Sequence, residues 1–310
     1  MSEFTTHNQD ENIANVDTSL LFKVLFLNKI KIIILGLLFG ISAVFYSLAL
    51  PNVYQSEALL APVENDSNNL SNSLKSLGGI ASFAGLAMPS QSTKTNTGIQ
   101  ILKSYAFFTR FINRVNGLPE LMASKSWDKN NDVIIYSPEF DNIERKWMQD
   151  AKPSLQEAYK KFNSSFGVLL DQKTGMVKLS FKHHSPNLSK EWLEEIISLI
   201  NTDFKNRDVA SANRSIDFLD QQINNTNISE IKIVISDLIQ SQIQTVMLAE
   251  STPEYLFQMI DPPIAPEIKI EPKRAIICIT AAILGSFLGS LYSLILYMRS
   301  ERKNKAILVD

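Results

Sequence analysis

The sequence predicts an α+β membrane protein, with two transmembrane helices flanking an exported domain of mixed helix and strand from which a helical hairpin arm protrudes. Three observations predict it. Apolar runs fill residues 32–50 and 275–298, each long enough to cross a hydrocarbon layer about 30 Å thick as a helix. Between them, stretches that alternate apolar and polar residues are interleaved with stretches of helical spacing. Two successive helical stretches lie over residues 188–250, and the apolar stripe of the first narrows with distance, as suits packing on the second as its one partner helix.

The chain has 310 residues, 45% hydrophobic and 20% charged, with a net charge of -2, which excludes the basic balance of a nucleic-acid binder. Its single cysteine, Cys278, lies inside the second apolar run, so the exported part has neither disulfide nor thiol chemistry. Basic residues set the orientation. Lys23, Lys29, Lys31, Arg299, Arg302, Lys303 and Lys305 flank the spans on the terminal side, against Lys269, Lys273 and Arg274 on the other. Positive charge favours the inside, so the termini are expected in the cytoplasm. The domain plan is a cytoplasmic tail and interfacial segment over 1–31, a span over 32–50, and an exported α/β base over 51–274 with its arm over 188–250. A second span over 275–298 and a tail over 299–310 complete it.

Taken in order, residues 1–19 are polar with no apolar period and read as a disordered tail, and 18–31 are amphipathic enough to lie at the interface. After Pro51, the stretch VYQSEALLAPV has the composition of a strand, with Pro62 confining its end to an edge. A Ser/Asn-rich stretch over 65–76 leads to a small-residue apolar patch over 77–90, read as a buried loop or short helix, or as a surface that meets a partner. Thr97-Gly98-Ile99-Gln100 fits a capping box for one helix ending at Asn116-Gly117. Residues 119–152 read as loops and short helical pieces anchored by Trp127 and Trp147.

Ser154 and Glu157 form a second capping box, ahead of the stripe Leu155, Ala158, Tyr159, Phe162 and Phe166. Residues 166–170 and 176–183 alternate about a polar turn and predict a hairpin that puts Val177, Leu179, Phe181 and His183 on one face. His183 and His184 then point apart, which argues against a joint metal site and leaves His183 as a core-edge residue with one hydrogen bond. Ser185-Pro186 starts a long helix to about Asn225, and Asn227 with Glu230 offers a capping box for the helix that returns along it. Residues 255–260 form the last strand, beside the first.

No nucleophile elbow, zinc-protease, phosphate-loop or paired-cysteine motif occurs, so neither a catalytic residue nor a cofactor or metal site is expected. Glu194 and Glu195 read as solvated helix surface. Gly36 with Gly40, and Gly285 with Gly289, place small residues four apart in both spans and mark surfaces for close helix packing and assembly. Upstream of the second span, Pro262, Pro266 and Pro272 hold an extended, stiff approach that ends at Lys273.

That proline segment, with Glu271-Pro272-Lys273 and then Gly285-x-x-x-Gly289, resembles the proline-rich signature of the chain-length determinant (Wzz-type) polysaccharide co-polymerases. Similar stretches are ILKSYAFFTRFI over 101–112, PSLQEAYKKF over 153–162, KTGMVKLSFKHHSP over 173–186 and MLAESTPEYLFQMIDPPIAPE over 247–267. Glu271 departs from the family's usual small polar residue. The resemblance implies a homo-oligomer in the bacterial inner membrane with a periplasmic main domain. It also implies a scaffold, not an enzyme, that sets the length of a polysaccharide, commonly lipopolysaccharide O-antigen. The implied partners are a separate membrane polymerase, the growing polysaccharide and the lipid bilayer, with no nucleic acid. Two other readings are weighed against it: a two-span sensor or adaptor with a ligand-binding ectodomain, and an exported carbohydrate-active enzyme.

Overall fold

A computed structural model of the chain describes residues 25–63, 91–148 and 151–307. The expected N-terminal tail, the Ser/Asn-rich stretch and the apolar patch over 77–90 lie outside the described residues. The chain divides into two units: Pro51–Glu271, and the two end segments that carry the apolar helices.

The first apolar run forms α1, Lys29–Ala49, which stops where Leu50 turns extended ahead of Pro51, as a residue before proline is pushed to do. In the sheet unit, β1 (Tyr54–Pro62) follows, with Tyr54, Ser56, Ala58 and Leu60 buried in alternation. Helices α2 (Gln91–Leu102), α3 (Tyr105–Arg114) and α4 (Leu118–Met122) come next. The single helix expected over this stretch is two. Thr97 lies inside α2, and the cap that forms is at Ser104, whose Oγ accepts the Phe107 N–H at 3.1 Å. A hydroxyl that captures a nearby amide in this way starts a new helix in place of continuing the old one. Gly98 mimics a boundary but has another use: a Cβ there would stand 2.7 Å from Leu256 Cδ2, so the helix runs through it to allow close approach. Asn116 takes a positive φ of 48° and ends α3 as expected.

The region expected to be loops contains strands, β2 (Ser124–Asp128) with β3 (Val133–Tyr136), and β4 (Phe140–Asp141) with β5 (Lys146–Trp147), each pair antiparallel. Their alternation is too short to register as a period, and cross-strand contact decides the matter. Trp127 and Trp147 are anchors there: Trp127 meets Tyr54 edge-on at 5.6 Å, and Trp147 meets Phe140 at 5.2 Å.

The capping box at Ser154 and Glu157 opens α5 (Leu155–Ser165), and β6 (Phe166–Leu170) and β7 (Val177–His183) form the expected hairpin with Leu170 opposite Val177. Gly175 supplies the positive φ of 72° that this turn needs. Ser185 caps α6, Pro186–Asn225, through its Oγ and the Leu188 N–H at 3.3 Å. Helix α7, Ser229–Ser251, returns along it, but starts from Ile228 with no side-chain cap, so the box expected at Asn227 does not form. Strand β8 (Phe257–Asp261) completes a sheet of order β6-β7-β1-β8, antiparallel throughout. At Pro62, β1 still pairs with Phe257 of β8, after its register with β7 has ended at Leu60.

One face of this sheet carries the core. Val177, Leu179, Phe181, Ala58 and Leu60 meet Phe107, Phe108, Phe111 and Phe162, together with Trp192, Leu193, Ile196 and Ile200 of α6. The other face is polar, where Lys178 pairs with Glu57 at 2.5 Å and Lys182 with Glu271 at 2.8 Å. The base is therefore an antiparallel α+β layer.

The second apolar run lies in α8, Arg274–Ile307. Lys29–Ala49 and the Arg274–Arg299 part of α8 are long and apolar enough to cross a membrane.

Candidate functional site

The proline segment that precedes α8 is fastened along β1. Strand β8 pairs with β1 through a bulge, with Leu60 opposite Met259 but Leu59 opposite Asp261. The regular ladder then stops at Pro262 and Pro263, which have no N–H to give. Pro263 is buried, Pro266 and Pro272 are half-buried, and Pro262 and Lys273 are exposed. Beyond the prolines the attachment resumes irregularly: Ser56 Oγ donates to Ile264 O at 2.8 Å, and Ile270 N–H to Val53 O at 2.9 Å. Val53 N–H donates to Glu271 O at 3.0 Å, and Lys269 Nζ to Asn52 Oδ1 at 3.0 Å. The lead-in is thus a backbone rail held at both ends, and Glu271 serves it twice, through its carbonyl and through the ion pair with Lys182.

Asn201, whose part the sequence reading missed, locks the start of this rail. It is 4% exposed inside α6, where its Oδ1 accepts the N–H groups of Leu256 and Phe257 at 2.8 Å each and its Nδ2 donates to Phe257 O at 3.0 Å. A buried amide that satisfies three backbone groups fixes β8 against the arm's root. A polar residue interrupting the stripe between Ile200 and Phe204 is the signal that could have found it.

The arm's root is held from the opposite side by the two histidines. Ser185 N–H donates to His183 Nδ1 at 3.0 Å, so Nε2 carries the proton and donates to Glu120 O at 3.0 Å. His183 therefore makes two hydrogen bonds where one was expected, and burial holds it down at about 4. His184 turns away to Asn52 O at 2.9 Å, with the ring centroids 6.0 Å apart. Among the described residues no group of three or more His, Cys, Asp or Glu could hold a metal ion. Glu120 also accepts from Arg145 at 2.9 Å and from the Tyr136 hydroxyl at 3.2 Å, and burial followed by the Glu120 charge raises that phenol. Glu194 is exposed and pairs with Lys190, whereas Glu195, expected on the solvated surface too, is half-buried and pairs with Arg114.

Lower on α6, Asp208 binds Lys94 of α2 at 2.9 Å and the Tyr255 hydroxyl at 2.8 Å. Burial and the hydrogen bond to Asp208 raise the Tyr255 phenol well above its ordinary value, so it stays a donor.

In the helix unit, the small-residue faces of α1 and α8 meet each other. A Cβ on Gly36 would strike Ser286 Oγ, and one on Gly40 would sit 3.7 Å from Ala282 Cβ. From the other helix, a Cβ on Gly285 would come 2.7 Å from Phe39 Cβ and 3.0 Å from Leu35 O. One on Gly289 would come 3.1 Å from Ile32 Cα. Backbone approach of this kind is what small residues four apart permit. Ser286 and Ser290 satisfy their hydroxyls on their own helix, at Ala282 O (2.9 Å) and Ser286 O (2.7 Å).

The chain aligns over 92% of its length with 97% of a full-length bacterial polysaccharide co-polymerase, at 14% identity and a TM-score of 0.37. It aligns over 71% with all (100%) of a fragment of WzzB, a polysaccharide co-polymerase from Salmonella Typhimurium, at 12% identity and a TM-score of 0.28. No curated protein matches it. The family model of the chain length determinant protein, Wzz, matches residues 14–115, from ahead of α1 to the end of α3. The chain thus carries over those residues the sequence pattern of the chain-length determinant family that it was seen to resemble.

Proposed function

We propose that this protein regulates polysaccharide chain length as an oligomeric scaffold of the bacterial inner membrane. In this reading residues 32–50 and 275–298 span the bilayer, the termini are cytoplasmic, and the sheet unit with its arm over 188–250 is periplasmic. A separate membrane polymerase does the chemistry, and the growing polymer, lipopolysaccharide O-antigen, passes the scaffold. The observation that carries the reading is the family match over residues 14–115. Geometry supports it: a rail pinned to β1, an amide-locked arm root and a close-packed helix pair all serve positioning.

Deleting the gene and resolving the extracted polysaccharide on a gel tests it. A modal length lost on deletion and restored by the intact gene is expected, whereas an unchanged distribution overturns the reading. The proline signature (Pro262, Pro266, Pro272 and Lys273) acts by holding the exit rail. The glycines act first by packing the two spans of one chain, and so preserve assembly indirectly. Gly285→Leu combined with Gly289→Leu should reduce the crosslinked oligomer ladder in membranes, and an intact ladder would leave these positions with no part in assembly.

A further inference from the structure

We propose that the proline rail is also a footing on the membrane, with Ile264 and Ile268 resting in the lipid headgroup layer. The partner is a phospholipid surface, and the proposal rests on α1 and α8 being membrane spans.

Three observations point there. Ile268 is 80% exposed and Ile264 68%, although both belong to a segment whose backbone is fastened to Ser56 of β1 and to Val53 just ahead of it. Side chains on a floppy loop can turn away from water, but these are held out by a fixed backbone, and exposed apolar groups in fixed positions mark contact surfaces. Second, the occupant follows from chain continuity. Val53 comes four residues after Ala49, the last residue of α1, and Glu271 three residues before Arg274, the first of α8. At about 3.3–3.6 Å per residue, the paired Val53 and Glu271 are tethered within about 14 Å and about 11 Å of the two helix ends. The interfacial layer outside the hydrocarbon is itself roughly 5–8 Å deep on each side. Ile268 lies three residues before Glu271 on the rail, so its own tether to Arg274 is at most about 22 Å.

Third, the rail's own chemistry suits a layer poor in free water. An open strand edge leaves N–H groups unpaired, which costs most where water is scarce. Pro262, Pro263, Pro266 and Pro272 have none to leave and Ile270 N–H is spent on Val53 O, which lowers that cost along the rail without removing it at Ile264, Ala265, Glu267, Ile268 and Lys269. Lys273, exposed at the end of the rail, supplies a cation at phosphate level. The exposed apolar residues of α7, such as Met247 at 65%, have no such tether.

The test uses the full chain with Cys278→Ser, leaving one introduced cysteine at a time for an environment-sensitive fluorophore. Ile268→Cys, Ile264→Cys, Met247→Cys and Leu38→Cys are reconstituted into phosphatidylethanolamine and phosphatidylglycerol vesicles, with and without lipids bearing a nitroxide, placed near the headgroup for the labels at 268, 264 and 247 and along the acyl chain for the label at 38. Labels at 268 and 264 should shift to the blue and lose most of their emission to the nitroxide, whereas the label at 247 keeps its emission. An unquenched label at 268 beside a quenched one at 38 overturns the footing and leaves the spans standing. If the label at 38 is also unquenched, the spans fall with it. A blue-shifted but unquenched label at 268 assigns Ile268 to a second copy of the chain, and overturns the lipid contact equally.

Discussion

The two halves of α6 are one unbroken helix in two different surroundings. Over its first half, Trp192, Leu193, Ile196, Ile197, Leu199, Ile200 and Phe204 are all buried against the sheet and the aromatic cluster. Past Phe204, Ala212 is its one buried residue among those described, and α7 contributes Ile235 and Ser241 to the shared seam, while its Ala249 joins the core of the base. Meanwhile Phe218, Ile233, Ile243 and Met247 of the arm are exposed. Helical geometry continues where burial does not. Backbone hydrogen bonds keep the arm helical, but apolar burial supplies most of the stability of a packed helix. The base should therefore hold the chain's stability, while the arm opens at low cost.

The largest expected effect comes from making one change in both places. Ile196→Ala removes a side chain with 0% exposure from the base, and should cost about 4 kcal/mol because its well-packed surroundings cannot collapse into the cavity. Ile235→Ala, at 8% exposure in the arm's seam, should cost about 2 kcal/mol or less, since water and the partner helix can relax into the gap. Urea unfolding measures both, followed by tryptophan fluorescence for the base, which holds Trp127, Trp147 and Trp192, and by the far-ultraviolet helical signal for the arm. Equal costs would break the comparison.

Asn201 sharpens it, standing where the base ends. Asn201→Ala strips the N–H groups of Leu256 and Phe257 and the carbonyl of Phe257 of their partner at a buried site. A loss of about 3 kcal/mol is expected by the same unfolding measurement, from the cost of unpaired buried polar groups. A loss below about 1 kcal/mol would mean that β8 is held by its ladder alone.

What was legible in the sequence divides along the same line. The hairpin of β6 and β7, the caps at Ser154 and Ser185, and the helix to Asn225 were legible, because alternation over seven residues or a Ser-Pro start is a local signal. The break at Ser104 was not, since two consecutive helices share one apolar period and the hydroxyl's choice of the Phe107 amide depends on where both helices pack. Strands as short as Phe140–Asp141 are set by their partners. At the site, the prolines were visible as stiffness, but their attachment to Val53 and Ser56, more than 200 positions away in sequence, is a tertiary fact. The glycine spacings showed that close packing was intended. That each span answers the other is a matter of pairing, which spacing does not carry.

Acid probes the root of α6 without altering the arm. Burial, opposed by the hydrogen bonds to Glu120 and Ser185 and aided by His184 and Lys161, holds His183 at about 4 against an ordinary 6.5. Between those values the unfolded chain binds a proton that the folded chain refuses, so stability rises with pH across that window. The contribution is complete above about 6.5, falls as pH drops toward about 4 and levels off below. In size it is on the order of 3 kcal/mol. His183→Gln should flatten this part of the pH profile of the urea midpoint. Trp192, whose ring lies 5.9 Å from His183, should report the acid transition in its emission before the far-ultraviolet signal of the helices changes. A profile as steep in His183→Gln as in the unsubstituted chain would move the acid response to another group.

The smallest effect separates an arm that stands in water from one that is covered. Phe218 is 60% exposed on the side of α6 away from the Ala212 seam, so in an isolated chain Phe218→Ser gives up little burial. Substitutions at such positions change stability by no more than about 0.5 kcal/mol. The same substitution would act differently in an assembly: if a neighbouring copy buries the ring, its removal costs the transfer of a phenyl group, about 1.5–3 kcal/mol when burial is complete. That cost would depend on protein concentration, because it belongs to association and not to folding. Urea midpoints for Phe218→Ser and the unsubstituted chain, measured in detergent across a range of protein concentrations, therefore decide between them. Superimposable curves at every concentration keep the arm as a solvated helix pair whose low stability is its own. A gap that opens as concentration rises would show that the missing burial of the second half of α6 is supplied by another copy.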